Sequence, residues 1–281
     1  MTNTAMPSHE ILENFGLSDP VFVVTTGIAM VWRVRCADGR EAALKLYHGR
    51  TMGNESTGFV YLKALDGVGA ARVYRYTDRS AVIEWLSGPS LGDLTRAGED
   101  TRAAKALVEV ARTLHSAPLE ISAPLPELEA WFGGLLSLDV PAGTLEDARH
   151  NLMRCQALAR QLLSTQHDIR PLHGDLHHDN VRLGARGYCA FDAKGVLGER
   201  TYELANAFRN PKGAPDVVRD PARIRYLRDL WSDLFEVDPT RLMQWAAVKC
   251  ALSIAWRRDE TGLPQDEFDL LECLLAIAEA G

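Results

Sequence analysis

Leu172-His173-Gly174-Asp175-Leu176-His177-His178-Asp179-Asn180, followed by Phe191-Asp192-Ala193-Lys194-Gly195, decides how this chain is read. The first run sets a carboxylate five residues ahead of an amide, and the second ends an apolar segment on another carboxylate. An acidic group to orient a hydroxyl, with an Asn and an Asp to hold magnesium against a nucleotide, is the equipment of phosphoryl transfer. Asp175 can accept a hydrogen bond from an acceptor hydroxyl and take its proton as the P–O bond forms. Asn180 offers a hard cation a neutral oxygen, and Asp192 a charged one. Single Asp and Asn residues in loops usually cap turns, so the pattern gains its specificity from its surroundings.

Upstream, residues 1–86 read as a small antiparallel sheet carrying one main helix. Ser8 to Leu17 suits a short helix, and Val21 to Thr25 is β-branched and apolar. Val31 to Cys36 alternates, with Trp32 and Val34 on one face and Arg33 and Arg35 on the other. Asp38-Gly39 is a hairpin signal, and Glu41 to Tyr47 is its partner strand. Asn54 to Leu65 has helical spacing, and Val73 to Tyr76 and Ala81 to Leu86 are further strands. Ser87-Gly88-Pro89 reads as a hinge loop. Residues 87–281 are mostly helical, with 3.6-residue periodicity over 100–115, 144–167, 221–235, 239–256 and 265–280. A short β-rich insert around Pro171, Val181 to Leu183 and Tyr188 to Phe191 holds both quoted runs. The expected architecture is α+β and two-lobed: a nucleotide-binding β lobe over 1–86, a helical catalytic and acceptor-binding lobe over 87–281, and a cleft between them.

Lys45 sits in the apolar strand Ala42-Ala43-Leu44-Lys45-Leu46-Tyr47. Burying a lysine is costly unless it is paired. Glu55, Phe59 and Leu62 share one helix face, so Glu55 needs a cation, and Lys45 is the nearest in sequence. Such a pair would hold the lysine against the α- and β-phosphates of ATP; the plain alternative is a solvent-facing lysine. The turn from Thr25 to Met30 stands where a phosphate-covering loop would be, and backbone N–H groups near Gly27 could meet phosphate oxygens. One glycine in a hairpin usually marks only a turn. The main chain of Glu84-Trp85-Leu86 would face an adenine edge. Lys194 has two readings, a cation beside the transferred phosphoryl or a partner for a carboxylate such as Glu199. Glu203 is expected to orient the catalytic loop, and His173 to brace it. His177 and His178 are expected to be partly exposed, one of them lining the acceptor site. The rival for this His-rich run is a metal-dependent hydrolase with imidazole ligands, which leaves Lys45, Glu55 and Asp192 unexplained.

The 281 residues are 46% hydrophobic and 25% charged, ample for one large domain or two modest lobes. A net charge of −7 argues against a general nucleic-acid surface. Cys36, Cys155, Cys189, Cys250 and Cys273 form no CxxC pair, which suits free thiols in a reducing cytosol. Neither a signal-peptide pattern nor an apolar run of about 18 residues is found, so a soluble, cytoplasmic protein without a membrane partner is expected.

Taken together, Lys45, Glu55, Ala111-Arg112-Thr113-Leu114-His115, His173 to Asn180 and Phe191 to Ala205 resemble the aminoglycoside phosphotransferase family, which has a protein-kinase-like fold. Phe191-Asp192-Ala193-Lys194-Gly195-Val196-Leu197-Gly198-Glu199-Arg200-Thr201-Tyr202-Glu203-Leu204-Ala205 is similar to the branch of streptomycin kinases and hydroxyurea phosphotransferases, with Ala193 where that branch often has proline and Glu199 and Glu203 where aspartates are frequent. The resemblance implies ATP-dependent transfer of the γ-phosphate to a hydroxyl of a small molecule. It implies Asp175 as catalytic base, Asn180 and Asp192 as Mg2+ ligands, and Lys45 with Glu55 as the phosphate-positioning pair. The expected acceptor is aminoglycoside- or aminocyclitol-like. Kinases of choline, homoserine or fructosamine are the alternative, as is a nucleotide-binding pseudokinase, against which the complete set of Lys45, Glu55, Asp175, Asn180 and Asp192 argues. Trp131, Asp229, Trp231, Trp256, Asp259 and Glu260 are candidates for the acceptor pocket, although tryptophans in helices are more often core.

Overall fold

The computed structural model describes residues 6–141, 143–260 and 262–280. Helix α1 (His9–Phe15) begins where the Ser8 side chain accepts from the Ile11 N–H and ends at Gly16, whose φ of 64° closes the last turn. It leads into a five-stranded antiparallel sheet in the order β1 (Leu17–Thr25), β2 (Ala29–Cys36), β3 (Glu41–Tyr47), β5 (Ser80–Glu84), β4 (Val73–Tyr76). Side chains alternate across a strand, and this sheet uses both faces. Ala42 and Leu44 join Trp32, Val34 and Val82 beneath α1. Ala43 and Tyr47 join Ala81 and Ile83 on the opposite face, against Phe59 of α2 (Ser56–Leu65). Lys45, paired in register with Val31 and Ala81, shares the face of Ala43 and Tyr47.

Beyond β5 the chain is mostly helical. Helix α3 (Leu91–Arg96) is started by a reciprocal capping box between Ser90 and Asp93. It is followed by α4 (Asp100–Ser116), α5 (Leu128–Trp131), α6 (Gly133–Leu136) and α7 (Glu146–Ser164). After the β insert come α8 (Pro215–Val218), α9 (Pro221–Phe235), α10 (Pro239–Trp256) and α11 (Phe268–Ala280). Helix α10 is buried almost all round from Leu242 to Ile254, the mark of a central helix. The larger core packs around it.

The insert is two short ribbons. Strand β6 (Ile169–Leu172) pairs with β9 (Val196–Glu199), and β7 (Val181–Gly184) with β8 (Gly187–Ala190). The expectation lacked β9, which has only two apolar residues of its own and exists through its partner. These pairings set the site: residues 173–180 join β6 to β7, residues 191–195 join β8 to β9, and the two loops lie together. Among the described residues, no helix is long and apolar enough to cross a membrane.

Candidate active site

Lys45 is 5% exposed. Its Nζ donates to Glu55 Oε2 at 2.6 Å and to Asp192 Oδ1 at 2.9 Å. The Tyr47 hydroxyl donates to the same Glu55 oxygen at 2.5 Å, and Lys194 Nζ donates to Glu55 Oε1 at 3.0 Å. Burial opposes the charge on Lys45, but the carboxylates of Asp192 and Glu55 outweigh it and hold its pKa above the usual value. Burial likewise pushes Asp192 up, yet Lys45 and Lys194 bring its carboxyl below the ordinary range. For Lys194, the paired reading takes a different partner from the Glu199 that the sequence suggested. The lysine meets Glu55, whereas Glu199 is bound by Arg241, Nε to Oε1 at 2.6 Å.

Helix α2 reaches the 191–195 loop backbone to backbone. A Cβ on Gly58 would lie 1.8 Å from the Ala193 carbonyl oxygen, and one on Gly195 2.3 Å from the Thr57 carbonyl oxygen. The Thr57 hydroxyl donates to the Lys194 carbonyl at 2.7 Å. Gly195 has a φ of 63°, and Asp192, with a side chain, has 59°. That conformation is unfavourable away from glycine and is found where a site demands it.

The loop from β6 is braced from behind. Glu203 lies in the 3-10 helix Arg200–Arg209, and its carboxylate accepts from the backbone N–H groups of His173 (3.0 Å) and Gly174 (3.2 Å) and meets His115 Nε2 at 3.0 Å. Burial raises its pKa and the His115 contact, with those donors, lowers it further than burial raises it. His173 meets the Phe191 carbonyl through Nε2 at 3.0 Å and accepts from the Asp175 N–H through Nδ1 at 3.3 Å. The Lys194 N–H closes the link to the second loop at the His173 carbonyl, 2.7 Å.

Asp175 therefore projects from a fixed loop. Asn206 Nδ2 donates to its Oδ1 at 2.7 Å, and Asn180 Nδ2 donates to its main-chain carbonyl at 3.0 Å. Burial pushes this carboxyl up, but nearby positive charge, including Lys249 and Lys194, leaves it below the usual range. It is thus ionised at neutral pH and able to accept a proton or hydrogen bond.

A cavity of about 340 Å³ lies between sheet and helical region, lined among others by Val31, Ala43, Lys45, Ile83, Phe191 and Asp192. Glu84, Trp85, Leu86 and Asn180 also border it. The Glu84 carboxylate itself is turned to Arg186 and to the Arg72 N–H. The neighbour of Gly27, Thr26, borders the cavity; Gly27 is not among its lining residues. The Thr26 hydroxyl closes that turn by accepting from the Ala29 N–H at 3.0 Å, and Gly27 lacks a positive φ. A divalent cation fits the donors present. Asn180 spends its amide nitrogen on Asp175, Asp192 spends Oδ1 on Lys45, and one oxygen of each accepts no hydrogen bond among the described residues.

Other expectations need correction. His177 and His178 are buried rather than partly exposed. His177 Nδ1 accepts from the Asp179 N–H, while His178 packs against Trp231. With His173 committed to its own loop, the three rings have separate surroundings rather than a shared metal cage. Trp231 is core: it is fully buried, and its Nε1 donates to the Ala104 carbonyl at 3.0 Å. Asp229 is exposed on α9 and paired with Arg228. Trp131 and Trp256 do come together, edge to face at 5.2 Å, and exposed Asp259 and Glu260 follow Trp256. The reading missed Tyr47, Asn206 and Lys249. Asn206 carried a signal, being an amide one residue beyond a stretch already singled out.

The family described as "Aminoglycoside/hydroxyurea antibiotic resistance kinase" matches residues 15–261. A streptomycin 3''-kinase from Klebsiella pneumoniae is 34% identical over 209 residues, covering 72% of this chain and 76% of its own. A hydroxyurea phosphotransferase from Kitasatospora aureofaciens is 31% identical over 282 residues, covering 96% and 78%. Among solved structures, an amicoumacin kinase in complex with AMP-PNP superposes with a TM-score of 0.64 at 14% identity, covering 96% of this chain and 92% of its own. A choline kinase from Streptococcus pneumoniae gives 0.64 at 12% identity, covering 97% of both. At those identities the superpositions speak for the fold, which is that of the protein-kinase-like small-molecule kinases.

Proposed function

Because the chain belongs to the aminoglycoside/hydroxyurea antibiotic resistance kinase family, and so is a phosphotransferase acting on hydroxyl groups, we propose that it moves the γ-phosphate of ATP to a hydroxyl of a streptomycin- or hydroxyurea-like antibiotic. The observation that carries this reading is the meeting of Asp175, Asn180 and Asp192 with the Lys45–Glu55 pair at one cleft. The division into a nucleotide-binding lobe over 1–86 and a catalytic and acceptor-binding lobe over 87–281 belongs to the same reading.

In this mechanism Lys45, held by Glu55 and Tyr47, binds the α- and β-phosphates. The apolar walls Val31, Ala43, Ile83 and Phe191 take the base, and the main chain from Glu84 to Leu86 meets its edge. Asn180 and Asp192 would hold Mg2+, which neutralises charge on the phosphates when bound. Asp175, steered by Asn206, accepts the hydrogen bond of the acceptor hydroxyl, aligns its oxygen with phosphorus and receives the proton as transfer proceeds. Transfer is direct, without a phosphoenzyme. Lys194 has Glu55 as its partner before substrates bind, and its charge also reaches Asp175 and Asp192; in this reading it supports the transferred phosphoryl.

ADP release and the mass of the acceptor, measured with Mg·ATP and streptomycin, hydroxyurea or choline, test the proposal. An acceptor heavier by one phosphoryl group is expected for an antibiotic. ADP without a modified acceptor, or no turnover on any of the three, would sink it.

A further inference from the structure

Lys249, on α10, is 3% exposed. Other cations near the site, buried or half-buried, are paired: Lys45 with Glu55 and Asp192, Lys194 with Glu55, Arg209 with Glu267. Among the described residues, the Lys249 ammonium has neither a hydrogen-bond acceptor nor an ion-pair partner. Its Nζ lies 4.6 Å from the centroid of the Trp256 ring. With no acceptor among the described residues, and with Asp175 and Glu267 acting on it only through space, this ammonium is incompletely satisfied. Burial draws its pKa down to about 8 against the pull of the Asp175 carboxylate, so it is still cationic at neutral pH.

Its position gives this spare donor a use. The charges of Lys249 and Asp175 act on each other. Trp256 is 45% exposed and meets Trp131 edge to face, making an aromatic wall that opens to solvent. The carboxylate of Glu267 is already taken by Arg209, and the Arg209 guanidinium also donates to Asn206 Oδ1 at 2.9 Å. Helix α10 packs against the 3-10 helix whose Asn206 holds Asp175, so Lys249 is left as an unspent donor on the helix next to the proposed base's support and behind this wall.

An acceptor hydroxyl that donates to Asp175 needs its lone pair for phosphorus. An ammonium beside it is therefore best met by a second oxygen of the same molecule. We propose that Lys249 contacts the acceptor, donating to an oxygen on the atom next to the one that bears the transferred hydroxyl. The site thereby selects acceptors with neighbouring oxygens. A cation on that adjacent atom, as in choline, meets like charge and is rejected. The inference rests on the kinase reading above, with Asp175 receiving the hydroxyl.

The test compares wild type with Lys249→Met on hydroxyurea and streptomycin, which both carry an oxygen one atom from a hydroxyl, and on choline, which does not. The acceptor KM should rise about tenfold to a hundredfold in the variant, the loss expected for a hydrogen bond from a charged donor. The KM for ATP should stay put. Because methionine replaces an unpaired buried charge with apolar atoms of similar volume, the thermal midpoint should hold or rise. Wild type should refuse choline. Unchanged acceptor KM in Lys249→Met, a variant that loses stability or fails to fold, or a wild type that prefers choline would each overturn the inference while leaving the kinase reading intact. A wild type inert on all three acceptors would overturn both.

Discussion

Glu55 and Glu203 are both buried glutamates ringed by donors, but the donors differ in kind. Among the described residues, Glu55 accepts only from side chains, those of Lys45, Tyr47 and Lys194. Two of these belong to the sheet and one to the loop after β8, so the carboxylate joins segments far apart in sequence. Glu203 accepts from two backbone N–H groups of the loop it supports, with His115 behind it. Lysine side chains can exchange a carboxylate for a phosphate by rotating; a main-chain N–H cannot turn away without unmaking its loop. The pair teaches a division of labour. On the proposed reading, the nucleotide side is held by contacts that can be traded when substrate arrives, while the loop carrying Asp175 is fixed in advance.

The comparison is broken or sharpened by four measurements. The largest effect belongs to the group that the fixed loop presents: Asp175→Asn should lower kcat about 10²- to 10⁴-fold with ATP affinity nearly unchanged, as isothermal titration and steady-state rates would show. Retention of kcat would mean the rigid loop serves something other than proton acceptance. Next, Glu203→Ala strands two buried N–H groups and His115 and should cost about 3–5 kcal/mol of folding stability, read from urea midpoints. Glu55→Gln keeps the shape but weakens the lysine contacts. Its main effect should be a fall of about tenfold to a hundredfold in kcat/KM for ATP, with a smaller loss of stability than Glu203→Ala. The reverse order in the two stability losses would erase the distinction.

The mildest effect near neutrality comes from acid. Burial pushes His177 down to about 4 and His178 to about 3, and lowers His173 as well. The unfolded chain takes up protons at these rings near pH 6.5, and the folded chain does not. Stability is therefore complete above pH 6.5 and declines as pH falls toward the folded values. The lowered carboxyls of Glu203 and Asp192 continue the decline: their contribution is present above the ordinary carboxyl range and is lost as pH drops through their folded pKa. Urea titrations at pH 7.5, 6 and 5 should give falling midpoints. A rise on acidification would show that those imidazoles ionise within the fold.

Much of this was legible because it is written locally. The Glu41 to Tyr47 strand is an apolar run that Lys45 visibly interrupts, and Glu55 falls on a helix face with Phe59. Asp175, Asn180 and Asp192 are spaced within short loops. What sequence could not supply were partners chosen by folding. Strand β9 is made by β6, and Lys194, for which the sequence offered Glu199 nearby, finds Glu55 from a distant part of the chain through packing. His177 and His178 look like surface residues until α4 and α9 close over the loop, with Trp231 committed to that same packing. Lys249 gave no sign at all, since one lysine in an apolar helix resembles any other until the position of Asp175 is known.

The close approach of Gly58 to the Ala193 carbonyl bears on how such an enzyme could diversify. There the spacing of Glu55 and Asp192 is written into main chain, and even one added methyl group would prise the helix from the loop. Descendants of this chain that acquire a taste for other drugs would leave that seam untouched. If Lys249 meets the acceptor as proposed, their novelty would gather around Trp131, Lys249 and Trp256, where a changed side chain alters the guest without disturbing the engine.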